Sequence, residues 1–191
     1  MSRRQAGRPN MVYEFASTSK LTFPGAGISV IASSEENIAY WSKLAGVQNI
    51  SYDKINQLRH VMYLKDKANT LEIMKGHAAI LQPKFRMVLS MLRKKLTNKG
   101  IAHWHHPVGG YFVCVAAMPG TAKRTLELCK RLGVTFTPAG ATHPYGIDPE
   151  DSMIRIAPSY PPLEELEQAM EVFCVCIRIA ALEMHLNKTL I

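Results

Sequence analysis

Residues 15–32 read Phe15-Ala16-Ser17-Thr18-Ser19-Lys20-Leu21-Thr22-Phe23-Pro24-Gly25-Ala26-Gly27-Ile28-Ser29-Val30-Ile31-Ala32. A partly alternating run over 12–16 leads into this stretch and reads as a short strand. It ends in the Ser/Thr cluster at 17–19, a turn signal, and Pro24-Gly25-Ala26-Gly27 makes a second turn. The β-branched run over 28–32 then reads as a buried strand. A lysine after a Ser/Thr-rich turn is ordinarily a solvated surface residue. Here it lies between a strand and a Pro-Gly turn, with an apolar run and a capped helix following, so Lys20 is a candidate functional group.

Upstream, residues 1–11 are polar and contain Gly and Pro. The first 15 residues carry early arginines but no apolar h-region, so a secretory signal is not expected. Downstream, Ser33 with Glu36 forms a capping-box pattern for a helix to about Leu44, and Gly46 is placed to end it. A second helix is predicted over 53–64, where Ile55, Leu58, Val61 and Met62 recur at helical spacing. A long helical pattern covers 70–95, with Pro83 expected to kink or split it. Met62, Met74, Met87 and Met91 fit core positions on these helices better than any cofactor role.

Beyond Lys99-Gly100 the pattern changes. A strand is predicted over 109–117, a helix over 121–132 stopped by Gly133, and a strand over 134–137. A Gly/Pro/Asp-rich loop follows over 138–151, then a strand over 153–157 and a closing helix over 162–187. Glu164, Glu165 and Glu167 lie in the first turns of that helix, where its dipole favours acid. This portion reads as a small α+β sandwich with its own core. The first 70 residues hold too little strand for a sheet and read as the end of a larger α/β domain.

Composition bounds the function. The chain has 191 residues, 47% of them hydrophobic and 20% charged, enough to build a core. The formal net charge of +8 is dispersed, its densest cluster being Arg93-Lys94-Lys95, with Arg3-Arg4 second. No aromatic residues interleave with either cluster, so a solvated helix end is preferred to a nucleic-acid stripe. The cysteines at 114, 129, 174 and 176 make no Cys-x-x-Cys pair, so neither a zinc site nor a disulfide framework is expected, and reduced thiols in a cytoplasmic protein are the default. His103-Trp104-His105-His106 has no neighbouring carboxylate or cysteine, so no metal site is expected there. The longest apolar run, 170–182, is interrupted by Glu171 and Arg178 and is too short to span a membrane.

A second candidate is Arg155, inside Ile154-Arg155-Ile156-Ala157-Pro158. A guanidinium in an apolar strand needs a partner, because burying it unpaired is costly. Two readings are open: a salt bridge to a nearby carboxylate, or a site for an anion.

Taken in order, the lysine segment, the long helices, Gly109-Gly110-Tyr111-Phe112-Val113, the strand arginine and the closing helix resemble the class I/II aminotransferases. That family belongs to the fold type I pyridoxal-phosphate enzymes. The wording is nearest a bacterial aspartate aminotransferase-like subgroup at 15–20, at 23–27, at Asn56-Gln57-Leu58-Arg59-His60 and at 137–142. Resemblance begins near Asn10, with a junction near residue 9.

The resemblance implies an α/β fold, the C-terminal half of a fold type I transferase. Residues 1–69 would be the remnant of the large cofactor-binding domain, 70–99 an interdomain helix region, and 100–191 a complete small α+β domain. It implies pyridoxal 5'-phosphate as cofactor, carried by Lys20, with Ser17 and Ser19 also touching it. It implies Arg155 as the ligand of the substrate α-carboxylate, with Lys20 moving a proton at the substrate α-carbon. Implied partners are a small amino acid, of aspartate type in the subgroup, and a 2-oxo acid. The family is normally homodimeric, so a homodimer or association with the missing N-terminal half is expected, with no nucleic acid and no membrane.

One departure stands out: many members carry a phosphate-binding arginine where this chain has Gly27. The aspartate that pairs with the cofactor's pyridine nitrogen, which the family draws from an upstream strand, is not assignable in this chain. Catalytic incompleteness of the isolated chain is therefore expected. The alternative is a non-catalytic aminotransferase-like remnant or an amino-acid-binding regulatory module. His143 and Tyr145, in the Pro-rich loop, are open to either a substrate contact or a turn-packing role.

Overall fold

In the first 76 residues, one antiparallel ribbon carries the lysine turn. β1 (Glu14–Ser17) pairs with β2 (Ser29–Ala32), from Glu14 opposite Ala32 to Ser17 opposite Ser29. A computed structural model describes residues 7–189; its two compact units divide between Gly76 and His77. Arg3 and Arg4 lie outside the described residues. The run over 28–32, expected to be buried, is largely exposed, with Val30 at 60%. A two-stranded ribbon has no second layer of its own to bury either face.

α1 (Glu35–Gln48) is capped by Ser34, whose hydroxyl accepts from the Asn37 N–H, rather than by Ser33. Ser33 instead donates to the Val12 carbonyl at 2.7 Å, and the Asn37 amide donates to the Asn10 carbonyl at 3.0 Å. These bonds fasten the chain before β1 to the first turn of α1. The helix runs through Gly46 to Gln48, because one glycine costs only about 1 kcal/mol and does not break the hydrogen-bond ladder.

α2 (Lys54–Leu64) starts at Asp53, whose carboxylate accepts from the Asn56 N–H at 2.9 Å. Its expected apolar face is not the packed one. Ile55, Leu58, Val61 and Met62 are 55–78% exposed, whereas His60, on the opposite face, is buried. Met62 and Met74 are therefore not core residues within this unit, whereas Met91 is buried in the core of the second unit.

α3 (Lys67–Leu96) is continuous through Pro83, so of the expected kink or split the split does not occur. Proline removes one backbone donor, and the buried residues that follow, Val88, Met91, Leu92 and Leu96, anchor the helix beyond it.

The second unit is built on a three-stranded antiparallel sheet in the order β3 (Ala102–Trp104), β4 (Val113–Ala117), β5 (Met153–Ile156). Strand alternation decides which face is core. Val113, Val115 and Ala117 on β4, with Ile154 and Ile156 on β5, are buried against helical side chains. α4 (Ala122–Arg131) and α5 (Leu163–Thr189) contribute Ala122, Cys129, Met170, Phe173, Cys176 and Ile177 to that core. The two helices are tied by the Arg124 guanidinium, which donates to both carboxylate oxygens of Glu183 at 2.7 and 2.9 Å. Lys95, from the basic cluster, pairs with Glu171 at 2.9 Å.

Residues 134–137 are not a strand. The Val134 N–H bonds back to Cys129 at the end of α4, and the Phe136 ring packs on Phe173 at 5.2 Å. Their apolar pattern is used for packing without a ladder. The third strand is instead Ala102–Trp104, too short to stand out by periodicity.

Candidate functional site: a lysine turn and a strand arginine

Lys20 lies in the connection between β1 and β2. Thr18 organises that connection. Its N–H donates to the Ile28 carbonyl and its hydroxyl accepts from the Ile28 N–H, both at 2.9 Å, closing the base of the loop. Its carbonyl accepts from the Leu21 and Thr22 N–H groups at 2.8 and 2.9 Å, so the backbone coils tightly around Lys20. Lys20 itself is exposed.

Ser17 and Ser19 are adjacent to it. Their hydroxyl oxygens are 2.5 Å apart, and the Ser19 N–H donates to Ser17 Oγ at 3.0 Å. Two neighbouring hydroxyls beside a lysine are a chemically suitable cradle for an anionic phosphate. Gly27 has no room for a side chain. A Cβ there would lie 2.7 Å from Ser19 Oγ, 3.1 Å from Ser19 Cα and 3.2 Å from Ser19 N. The loop brings the Gly27 backbone against Ser19, and any side chain at 27 would displace it.

One face of α2 grips this loop. The Asn56 side chain donates to the Ala26 carbonyl at 2.9 Å. The Arg59 guanidinium lies 4.4 Å over the Phe23 ring and donates to the Asn56 side-chain oxygen at 2.7 Å. Tyr63 and His60 both pack on Phe23, with ring centroids 5.1 and 5.3 Å away. His60 Nδ1 is 2.8 Å from the Asn56 carbonyl, while Nε2 faces the hydroxyls of Thr22 and Thr18 at 2.8 and 3.1 Å. A carbonyl only accepts, so Nδ1 carries a proton. The Thr22 hydroxyl donates to the Thr18 carbonyl at 3.1 Å, and the Thr18 hydroxyl accepts from Ile28 while keeping its own proton for Nε2, so the Thr18 hydroxyl can donate to that nitrogen.

Arg155 lies in the second unit. It sits opposite Cys114 across the β4–β5 ladder, on the sheet face that alternates away from the core. Its guanidinium carbon is 4.5 Å above the Phe112 ring, and its Nε is buried without a hydrogen-bond partner. None of the ion pairs among the described residues involves Arg155. Of the two readings open from sequence, the salt bridge is therefore not seen. A half-buried guanidinium with unspent donors is suited to a carboxylate.

The turns flanking β5 hold it in place. Asp148, with a side chain only 4% exposed, accepts from the N–H groups of Met153 and Ser152 at 2.8 Å and of Glu150 at 3.1 Å. These donors, Met153 first, hold its carboxyl below the usual carboxylate range. After β5, the Lys84 ammonium donates to the carbonyls of Ser159 and Pro161, each at 2.7 Å. His143 has turn partners, its Nδ1 lying 3.1 Å from the Thr142 hydroxyl and its Nε2 3.7 Å from Asp148. Tyr145 projects into solvent from a left-handed residue at φ 59°.

Other chemistry is sparse. Among the described residues, no group of three or more His, Cys, Asp or Glu is placed to hold a metal ion. Cys129, Cys174 and Cys176 are buried, and burial pushes the Cys174 thiol up to about 12, out of nucleophilic range. No helix among the described residues is long and apolar enough to cross a membrane. Of the predicted site residues, Ser17, Ser19 and Lys20 belong to the first unit and Arg155 to the second. Sequence reading passed over Thr18, Thr22, His60, Lys84 and Asp148. The signal for His60 was present: Asn56, Arg59, His60 and Tyr63 share one helical face at i, i+3, i+4 and i+7.

Comparison with known proteins gives a consistent result. The family model described as aspartate amino-transferase matches residues 1–189. The aspartate aminotransferase of Corynebacterium glutamicum is 44% identical over 182 residues, which is 95% of this chain and 42% of that protein. A crystal structure of an aspartate transaminase from the same species superposes with a TM-score of 0.88, covering 95% of this chain and 43% of that one. An alpha-aminoadipate aminotransferase from Thermus thermophilus, 17% identical, shares the fold with a TM-score of 0.73, over 94% of this chain and 44% of that one. The chain thus spans well under half the length of these relatives.

Proposed function

The chain belongs to the aspartate amino-transferase family, and from that premise we propose that it carries the lysine and the carboxylate-binding arginine of a pyridoxal 5'-phosphate-dependent aminotransferase. The reaction would move an amino group between an amino acid, aspartate by family, and a 2-oxo acid. The observation that carries this reading is Arg155, a guanidinium with a buried, unpartnered Nε on the non-core face of β5.

The residues divide the work by their chemistry. Ser17 and Ser19 would hold the cofactor phosphate through their paired hydroxyls, with the Gly27 backbone packed against Ser19. Arg155 would bind the substrate α-carboxylate in a two-point contact that fixes orientation as well as charge. Lys20 would take the proton from the substrate α-carbon and pass it to the bound cofactor rather than back to that carbon. The cofactor, when bound, supplies the electron sink that makes that proton acidic.

Residues 1–69 read as the end of the large cofactor-binding domain and 100–191 as the small domain, joined through α3. The partner of the pyridine nitrogen is not among the assigned residues, and the relatives are more than twice as long. We therefore expect the 191 residues alone to be inactive in turnover, and to act with the complementary portion of the enzyme and as a homodimer in the cytoplasm. The test is spectroscopic. Adding pyridoxal 5'-phosphate should produce a visible absorption band that Lys20→Ala lacks. Identical spectra for the two would reject the enzymatic reading of this chain and favour a non-catalytic, amino-acid-binding module.

A further inference from the structure

We propose that His60 is a positioning residue for Lys20, acting through Thr18 and Thr22; the inference rests on the reading of Lys20 given above. His60 is 3% exposed although its side chain is polar, and both ring nitrogens are used. Nδ1 ties it to the backbone of its own helix at Asn56. Nε2 meets the loop at two hydroxyls, on the residues two before and two after Lys20. Neither threonine is bound only to the imidazole. The Thr18 hydroxyl also accepts from the Ile28 N–H, and the Thr22 hydroxyl lies 3.1 Å from the Thr18 carbonyl. The histidine thus completes a closed set of hydrogen bonds that encircles the Lys20 backbone.

Phe23 adds an apolar contact on the same imidazole, edge to face at 85°. A residue that only filled space under this loop would be apolar. One that only capped α2 would not reach two hydroxyls 38 and 42 residues away in sequence. The arrangement fixes where the Lys20 side chain leaves the backbone, which a lysine moving a proton between fixed points requires. His60 touches neither Lys20's reacting atom nor any substrate group in this account, so its role is positional.

The test compares amide hydrogen exchange in the full chain for wild type, His60→Leu and His60→Gln. The readout is the N–H groups of Leu21, Thr22 and Ile28, whose acceptors are all on Thr18. Exchange at these three should rise about tenfold or more in His60→Leu. His60→Gln, whose side-chain amide can still hydrogen-bond the threonine hydroxyls, should restore most of the protection. The α1 amides, such as Ile38, should not change. If His60→Leu does not fold, Thr22→Val removes the shorter loop contact and gives the same readout.

Unchanged exchange at the three amides, or equal acceleration throughout the first unit, would overturn the proposal. A second arm adds pyridoxal 5'-phosphate, reduces with borohydride and counts trapped cofactor on Lys20, which should fall severalfold in His60→Leu. No trapping on Lys20 even in wild type would reject the aminotransferase reading, leaving the exchange comparison to decide the positioning claim on its own.

Discussion

Replacing Arg155 by methionine should stabilise the second unit while removing the proposed substrate contact. The balance follows from what the guanidinium does and does not touch. It gains a cation–π contact with Phe112 at 4.5 Å, worth about 1 kcal/mol for a half-buried pair. Against this, a buried Nε without a partner costs about 1–3 kcal/mol in lost hydration. Methionine keeps most of the length, packs on Phe112 and leaves no polar atom unsatisfied. The net expectation is a gain of about 1 kcal/mol, or about 3–5 °C in Tm for a unit of this size. Urea unfolding followed by Trp104 fluorescence, in a Trp41→Phe background, reads the second unit. A loss of about 1 kcal/mol or more would refute the reasoning, because it would mean that Arg155 is held by a structural anion. A residue that costs stability at a site is the expected signature of function.

Gly27→Ala should destabilise the lysine loop by about 1–2 kcal/mol, because the new Cβ presses on the Ser19 backbone, and this outweighs the smaller entropic gain of losing a glycine; a melting temperature that holds or rises would contradict the close approach. Phe173→Ala should cost the second unit about 3–5 kcal/mol, since the ring is fully buried between the sheet and Phe136, and chemical denaturation measures it. Asp148 has a folded pKa below its unfolded value, so its contribution is present above the ordinary carboxylate range and is lost as pH falls through the lowered value. Asp148→Asn should therefore flatten the acid limb of the stability–pH curve, and an unchanged limb would remove Asp148 as its source.

The elements were largely legible where local chemistry decides them. The Ser/Thr turn, Pro24-Gly25 and the strands around them set the ribbon, and the Glu-rich start of α5 marked its first turn. Legibility failed where long-range packing decides. The apolar stripe of α2 pointed to Ile55 and Leu58, yet the packed face is the polar one, because Asn56 and His60 satisfy loop groups that no apolar residue could. Pro83 left a kink or a split open, and the later core contacts of α3 accompany an unsplit helix. Residues 134–137 have strand composition but spend it on Phe173 and Cys129. For the site, sequence named Ser17, Ser19, Lys20 and Arg155. Of the residues that hold them, Asp148 and Lys84 act through backbone groups that no motif records, and His60 through threonine hydroxyls distant in sequence.

Lys20 as the residue that carries pyridoxal 5'-phosphate is the central claim, and covalent trapping tests it most directly. The chain is incubated with the cofactor at low stoichiometry, reduced with borohydride, digested and mapped by mass spectrometry. The adduct should fall chiefly on the peptide containing Lys20, and Lys20→Ala should abolish it there without raising it elsewhere. Cofactor spread over the exposed surface lysines in proportion to their accessibility, with Lys20 no more modified than the others, would contradict it.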